Sequence, residues 1–108
     1  MSTIPGSTFE QTRCVAVVDG CMILTEAGVL VYHGIKPPRV GAPGWARLRI
    51  VNQRLVQDRV IMYQALGRDS FGNLVATVEV GGTDVITAIL TEAMRFNLDL
   101  VARSPAGG

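Results

Sequence analysis

Six of the ten basic residues fall between positions 36 and 59. They are Lys36, Arg39, Arg47, Arg49, Arg54 and Arg59, set against the single acid Asp58, for a local charge of +5. The rest of the chain, with four bases and eight acids, carries −4, so the net charge is only +1. Nine of the ten bases are arginine, whose planar fork meets phosphate or carboxylate oxygens two at a time. The cluster reads either as a solvated face with ion pairs across the fold or as a patch facing an anion. A net charge this near neutral argues against strong, indiscriminate nucleic-acid binding.

Groups able to act as nucleophile, base or metal ligand are few. Cys14 and Cys21 are isolated thiols, expected to stay reduced and structural in a reducing compartment. A two-cysteine metal site would need more ligands than His33 supplies, so no metal and no cofactor are expected. His33 is the one histidine and the side chain type suited to serve as a base, but it sits in a strand pattern between Tyr32 and Gly34.

These residues need a scaffold. A chain of 108 residues, 48% hydrophobic and 18% charged with mean hydropathy +0.32, is one globular domain. No apolar run approaches the roughly 20 residues a membrane helix needs. No signal peptide is visible, and a cytoplasmic location is expected. Residues 1–10 read as a loose arm, 11–102 as the domain and 103–108 as a tail. Strands are expected over Thr12–Val18, buried on both sides, then Cys21–Thr25 and Val29–Ile35. Asp19-Gly20 marks the first hairpin turn and would pair Val18 with Cys21. Residues 36–44, with three prolines and two glycines, form a loop.

Trp45 to Val56 has helical spacing. Trp45, Leu48, Val51, Leu55 and Val56 share one face, Arg47, Arg54 and Gln57 lie opposite, and Ile50 falls among the polar residues. Arg59–Leu66 is a fourth strand. Asp69-Ser70-Phe71-Gly72-Asn73 is a turn, Leu74–Val80 alternates as a fifth strand, and Gly81-Gly82 breaks it. Thr83 then caps a helix carrying Val85, Ile89 and Ala93. Asn97–Ala102 is a possible short closing strand. The order is three strands, a helix, two strands, a helix. That is an α+β, mainly β class: a five-stranded barrel of OB-fold type.

From Thr12 to Met94 the chain resembles the staphylococcal (micrococcal) nuclease, or thermonuclease-like, domain. The family's Val-Asp-Gly-Asp-Thr hairpin reads here Val18-Asp19-Gly20-Cys21-Met22. Its Arg-Leu-x-Gly-Ile-Asp-x-Pro-Glu segment reads Val31-Tyr32-His33-Gly34-Ile35-Lys36-Pro37-Pro38-Arg39. Its Asp-x-Tyr-Gly-Arg turn reads Asp69-Ser70-Phe71-Gly72-Asn73. The family's further C-terminal helix has no counterpart after Met94.

The resemblance implies a site built from two acids and a carbonyl on calcium, a glutamate that activates water, and two phosphate-clamping arginines. By position these become Cys21 and Lys36 for the acids, Arg39 for the glutamate, and Val31 and Asn73 for the arginines. The five degenerate positions leave no oxygen cage for a hard cation and no water-activating base. The resemblance thus implies a pseudo-enzyme, with catalytic residues none. Its cleft, with Lys36 and Arg39 replacing acids, would attract phosphate without metal. Arg47, Arg54 and Arg68 would extend the track, and Tyr32, Phe71 or Trp45 would stack on bases, although Trp45 reads more readily as core. The alternatives are a protein-interaction or structural module, possibly a homodimer, and an enzyme with a relocated site at Cys21 or His33. Neither a membrane nor a metal partner is expected.

Overall fold

The first strand, β1 (Glu10–Asp19), serves two neighbours, and that double duty closes the barrel. Its first half pairs antiparallel with β4 (Val60–Arg68), Glu10 to Arg13 opposing Tyr63 to Val60. Its second half pairs with β2 (Met22–Thr25). Irregularities between Cys14 and Ala16 and between Val17 and Asp19 shift the register, as bulges do, and bend the strand from one partner to the other. The computed structural model describes residues 9–98 and 100 of the chain.

The remaining pairings follow a meander. β2 pairs with β3 (Gly28–Tyr32), and β4 with β5 (Leu74–Val80). β3 and β5 then join in parallel, Leu30 beside Leu74 and Tyr32 beside Ala76. The result is a closed five-stranded mixed barrel of OB-fold-like, mainly β class, with helix α1 (Pro43–Val56) between β3 and β4. A two-residue strand β6 (Thr83–Asp84) precedes helix α2 (Val85–Arg95).

Strands β2 to β5 send alternate residues inward, and β1 adds Cys14 and Val17 across its first bulge. Ile23, Leu30, Ile61, Ala76 and Val78 meet Leu48 and Val56 from α1 and Val85 and Ile89 from α2. Fully burying side chains of this size contributes about 1.5–3 kcal/mol each. Helix α1 starts at Pro43, where the missing N–H costs nothing, and buries Gly44, Leu48, Asn52 and Val56 at intervals of four.

Several expectations shift. β1 is not buried on both sides: Val15 and Val18 are 47% and 44% exposed, because the bulges re-aim them outside the barrel. Asp19, not Val18, closes the hairpin, opposite Met22, and Gly20-Cys21 form the turn. The Asp19 carboxylate accepts the Cys21 amide at 2.7 Å, which fixes this register. α2 is capped by Asp84, which accepts the Thr87 amide at 3.2 Å, while Thr83 pairs with Val80. Trp45 is half-buried, and its buried indole N–H has no partner among the described residues. Glu10 belongs to β1, not to an arm, and residues 1–8 and the 103–108 tail lie outside the described residues. Of the closing segment 97–102, positions 99, 101 and 102 also lie outside them. Leu100 is buried, and its carbonyl accepts the Lys36 amide at 2.7 Å. No described helix is long and apolar enough to cross a membrane.

Candidate functional site

The β3–α1 loop is held at both ends by backbone bonds and left open between them. At its start the Lys36 amide donates to Leu100. At its end the Ala42 amide donates to the Arg39 carbonyl at 2.9 Å, a turn that leads straight into Pro43. The Lys36 and Arg39 side chains are both exposed. They precede Arg47, on the exposed face of α1, whose guanidinium lies 4.2 Å over the Phe96 ring. Arg49 sits 6.0 Å over Trp45, and Arg59 donates to the Leu55 carbonyl at 3.4 Å. Among the described residues the single ion pair is Arg95 with Glu92, at 3.6 Å. None of the six bases from 36 to 59 has a described carboxylate within bridging distance. Among the described residues the reading as ion pairs across the fold therefore finds no pairs.

Arg68 stands apart from these bases. It lies at the β4–β5 turn, where its guanidinium donates to the Gly72 carbonyl at 2.7 Å. It lines a shallow cleft with Ala27, Gly28 and Val29. That cleft is at the start of β3, whereas Lys36 and Arg39 follow its end. Phe71, at the tip of the same turn, is 87% exposed.

Three other positions are occupied by the scaffold. Tyr32 is corrected from a stacking residue to a core residue: it is 1% exposed and its hydroxyl donates to Asn52 Oδ1 at 2.6 Å. The period of two that buries Leu30 buries Tyr32 as well. Val31 is half-buried between Met22 and Val75. Asn73 serves the turn. Asp69 Oδ1 accepts the amides of Phe71 and Asn73, both at 2.9 Å, and Oδ2 accepts the Asn73 side-chain amide at 3.3 Å. Desolvation raises the Asp69 carboxyl, but the bonds from Asn73, Phe71 and Gly72 together outweigh it and hold it below its ordinary value.

The relocated-enzyme reading also loses its nucleophile. Cys14 and Cys21 are free and buried. Desolvation, with the Asp19 charge as a smaller cause, pushes the Cys21 thiol up to about 12. Attack by sulfur needs the thiolate, and this thiol stays protonated at neutral pH. His33 is exposed at the end of β3, its backbone amide donating to Ala76 at 3.0 Å. Among the described residues no three His, Cys, Asp or Glu side chains converge as metal ligands.

Asn52 is the residue that sequence reasoning missed. It is completely buried, accepts from Tyr32, and donates to the Asp19 carbonyl at 2.9 Å. It ties α1, β3 and the β1–β2 turn together behind the outer surface. Its signal was an amide on the stripe Leu48, Asn52, Val56, where a polar group must find partners to be tolerated.

A second feature is a groove of about 400 Å³ between α1 and α2. Val51 and Leu55 of α1 and Ala88 and Thr91 of α2 form its walls, with Arg54 and Glu92 on opposite sides. It continues past Ile50, the out-of-pattern residue of α1, which is 45% exposed. No protein-family model matches this chain and no curated protein matches it at a significant level, so the functional reading rests on the fold and on these two surfaces.

Proposed function

We propose that the chain is a catalytically inactive, nuclease-like OB-fold module that binds nucleic acid or another phosphate-bearing ligand through the bases of the β3–α1 loop and of α1. One observation carries this reading: the six bases from Lys36 to Arg59 have no described carboxylate partner. An uncompensated arginine cluster on an exposed loop and helix face attracts phosphate oxygens and can hold them with bidentate bonds. Lys36 and Arg39 stand where the resemblance has acids, so the same cleft would take the ligand's charge directly instead of through a cation. The position that the resemblance assigns to water activation holds Arg39, a cation that is no base at neutral pH, so the module is read as a binder. Two free thiols support a reducing compartment such as the cytoplasm.

The test is fluorescence anisotropy with a labelled single-stranded oligonucleotide across a salt series. Each phosphate contact should contribute a slope of about −0.7 in log affinity against log salt. Changing Lys36→Glu and Arg39→Glu together should weaken binding and flatten the slope by roughly one to one and a half units. Affinity that does not change with salt would sink the proposal. So would a charge-reversed variant that binds as tightly as the parent.

A further inference from the structure

We infer that the groove between α1 and α2 is a self-association surface, and that its occupant is a second copy of this chain related by a two-fold axis. An isologous contact requires one patch to carry both halves of every complementary pair. This groove does so in charge and in size. On the α1 wall stand Arg54 and the larger aliphatics Val51 and Leu55. On the α2 wall stand Glu92 and the small residues Ala88 and Thr91. A two-fold axis through the groove sets α1 of one copy against α2 of the other. Arg54 then meets the second copy's Glu92, and Val51 and Leu55 enter the space left by Ala88 and Thr91, each contact made twice.

The groove's own charges leave this pairing open. Arg54 has no described carboxylate partner, and the described partner of Glu92 is the exposed Arg95 one turn on, at 3.6 Å. Ile50, 45% exposed beside the groove, adds apolar area that association would cover. A purely anionic occupant such as a nucleic acid would meet Glu92 as a like charge. The mixed-sign lining therefore favours a copy over an oligonucleotide here. The groove shares Arg54 with the bases of α1 but no residue with the Lys36–Arg39 loop, so the charge reversal at Lys36 and Arg39 and the one at Glu92 separate the two proposals.

The test is sedimentation equilibrium of the full chain and of two charge reversals, with circular dichroism confirming that each variant is folded. The parent should be a dimer at tens of micromolar. With Arg54→Glu alone, each of the two contacts sets one glutamate against another. With Glu92→Arg alone, each sets one arginine against another. Either reversal should raise the dimer dissociation constant by on the order of tenfold. In a heterodimer of the two single variants both contacts set a glutamate against an arginine, so mixing them should restore association, and a mixture no tighter than either variant alone would count against the pairing. The double variant, Arg54→Glu with Glu92→Arg, restores opposite charges at both contacts and should regain the parent's dimer. Three outcomes overturn the inference: a parent that stays monomeric at several hundred micromolar, dimers indifferent to either reversal, or a double variant no tighter than the single ones. A reversal that abolishes oligonucleotide binding while leaving the mass unchanged also overturns it, by making the groove part of the nucleic-acid face.

Discussion

Replacing Asn52 with leucine should be among the most damaging single changes in this chain, and its cost should depend on Tyr32. Asn52 is wholly buried and satisfies two groups: the Tyr32 hydroxyl, from which it accepts at 2.6 Å, and the Asp19 carbonyl, to which it donates at 2.9 Å. Leucine fills nearly the same space and serves neither. A buried polar group left without its partner costs about 1–3 kcal/mol, so the substitution should cost about 2–5 kcal/mol after the gain from a more apolar side chain. A domain of this size has about 5–15 kcal/mol in all. Tyr32→Phe alone orphans only Asn52 Oδ1 and should cost about 1–2 kcal/mol. In the double variant the hydroxyl is absent, and the Asp19 carbonyl is the one group left stranded. The double variant should therefore be more stable than the sum of the two changes by about 1–2 kcal/mol. Urea unfolding followed by the fluorescence of Trp45, the only tryptophan, measures all four corners of the cycle. Additivity within about 0.5 kcal/mol, or an Asn52→Leu cost below about 1 kcal/mol, would refute the network as described.

Three other outcomes are expected. Gly20→Ala puts a Cβ 2.7 Å from Leu48 Cβ, an atom fixed by the helix, so the turn must move away from α1. It should cost about 1–3 kcal/mol, read as a lower urea midpoint at unchanged m, and an unchanged midpoint would show that the turn does not rest on α1. Asp19 is raised from its ordinary value of 3.8 chiefly by burial, partly offset by hydrogen bonds from Cys21 and Met22. A raised carboxyl contributes stability that is whole below the unfolded value and is lost as pH rises through the folded one. The advantage of Asp19→Asn over the parent should thus grow from about pH 3 toward neutrality, and a pH-independent difference would contradict it. Finally, iodoacetamide should label Cys14 and Cys21 only as fast as the chain opens, since both thiols are buried and Cys21 is held near 12. Labelling that outpaces unfolding, measured by mass spectrometry, would return Cys21 to the candidate nucleophiles.

The strands were legible because burial in a barrel is periodic, and Leu74–Val80 shows it cleanly: Ala76, Val78 and Val80 turn inward. What stayed hidden was set by single side-chain bonds and by irregularity. The first hairpin closes one residue later than Asp19-Gly20 suggests, because the Asp19 carboxylate takes the Cys21 amide. Thr83 and Asp84 both suit a cap, and the pairing of Thr83 with Val80 leaves the role to Asp84. The bulges that expose Val15 and Val18 leave no trace in an unbroken apolar run. Tyr32 differs for another reason: its chemistry suggests stacking, while its register with Leu30 already places it inside.

The same sorting by burial applies to every position that the resemblance assigns to catalysis. Each position that the resemblance assigns to catalysis carries a side chain either absorbed by the scaffold or left in solvent. Cys21 is buried, Val31 is part of the barrel wall, and Asn73 braces the Asp69 turn, so these three serve the fold. Lys36 and Arg39 do not: they are exposed, lie on a loop pinned only through its backbone, and pair with no described acid. Stability alone gives no reason for cations there, since an unpaired surface charge contributes little to folding and adds to the local repulsion among six bases. Replacing Lys36 and Arg39 together with alanine should therefore leave the urea midpoint unchanged or slightly raised while weakening oligonucleotide binding. A marked loss of stability in that variant would move both residues from the binding face to the scaffold and leave the groove between α1 and α2 as the one functional surface.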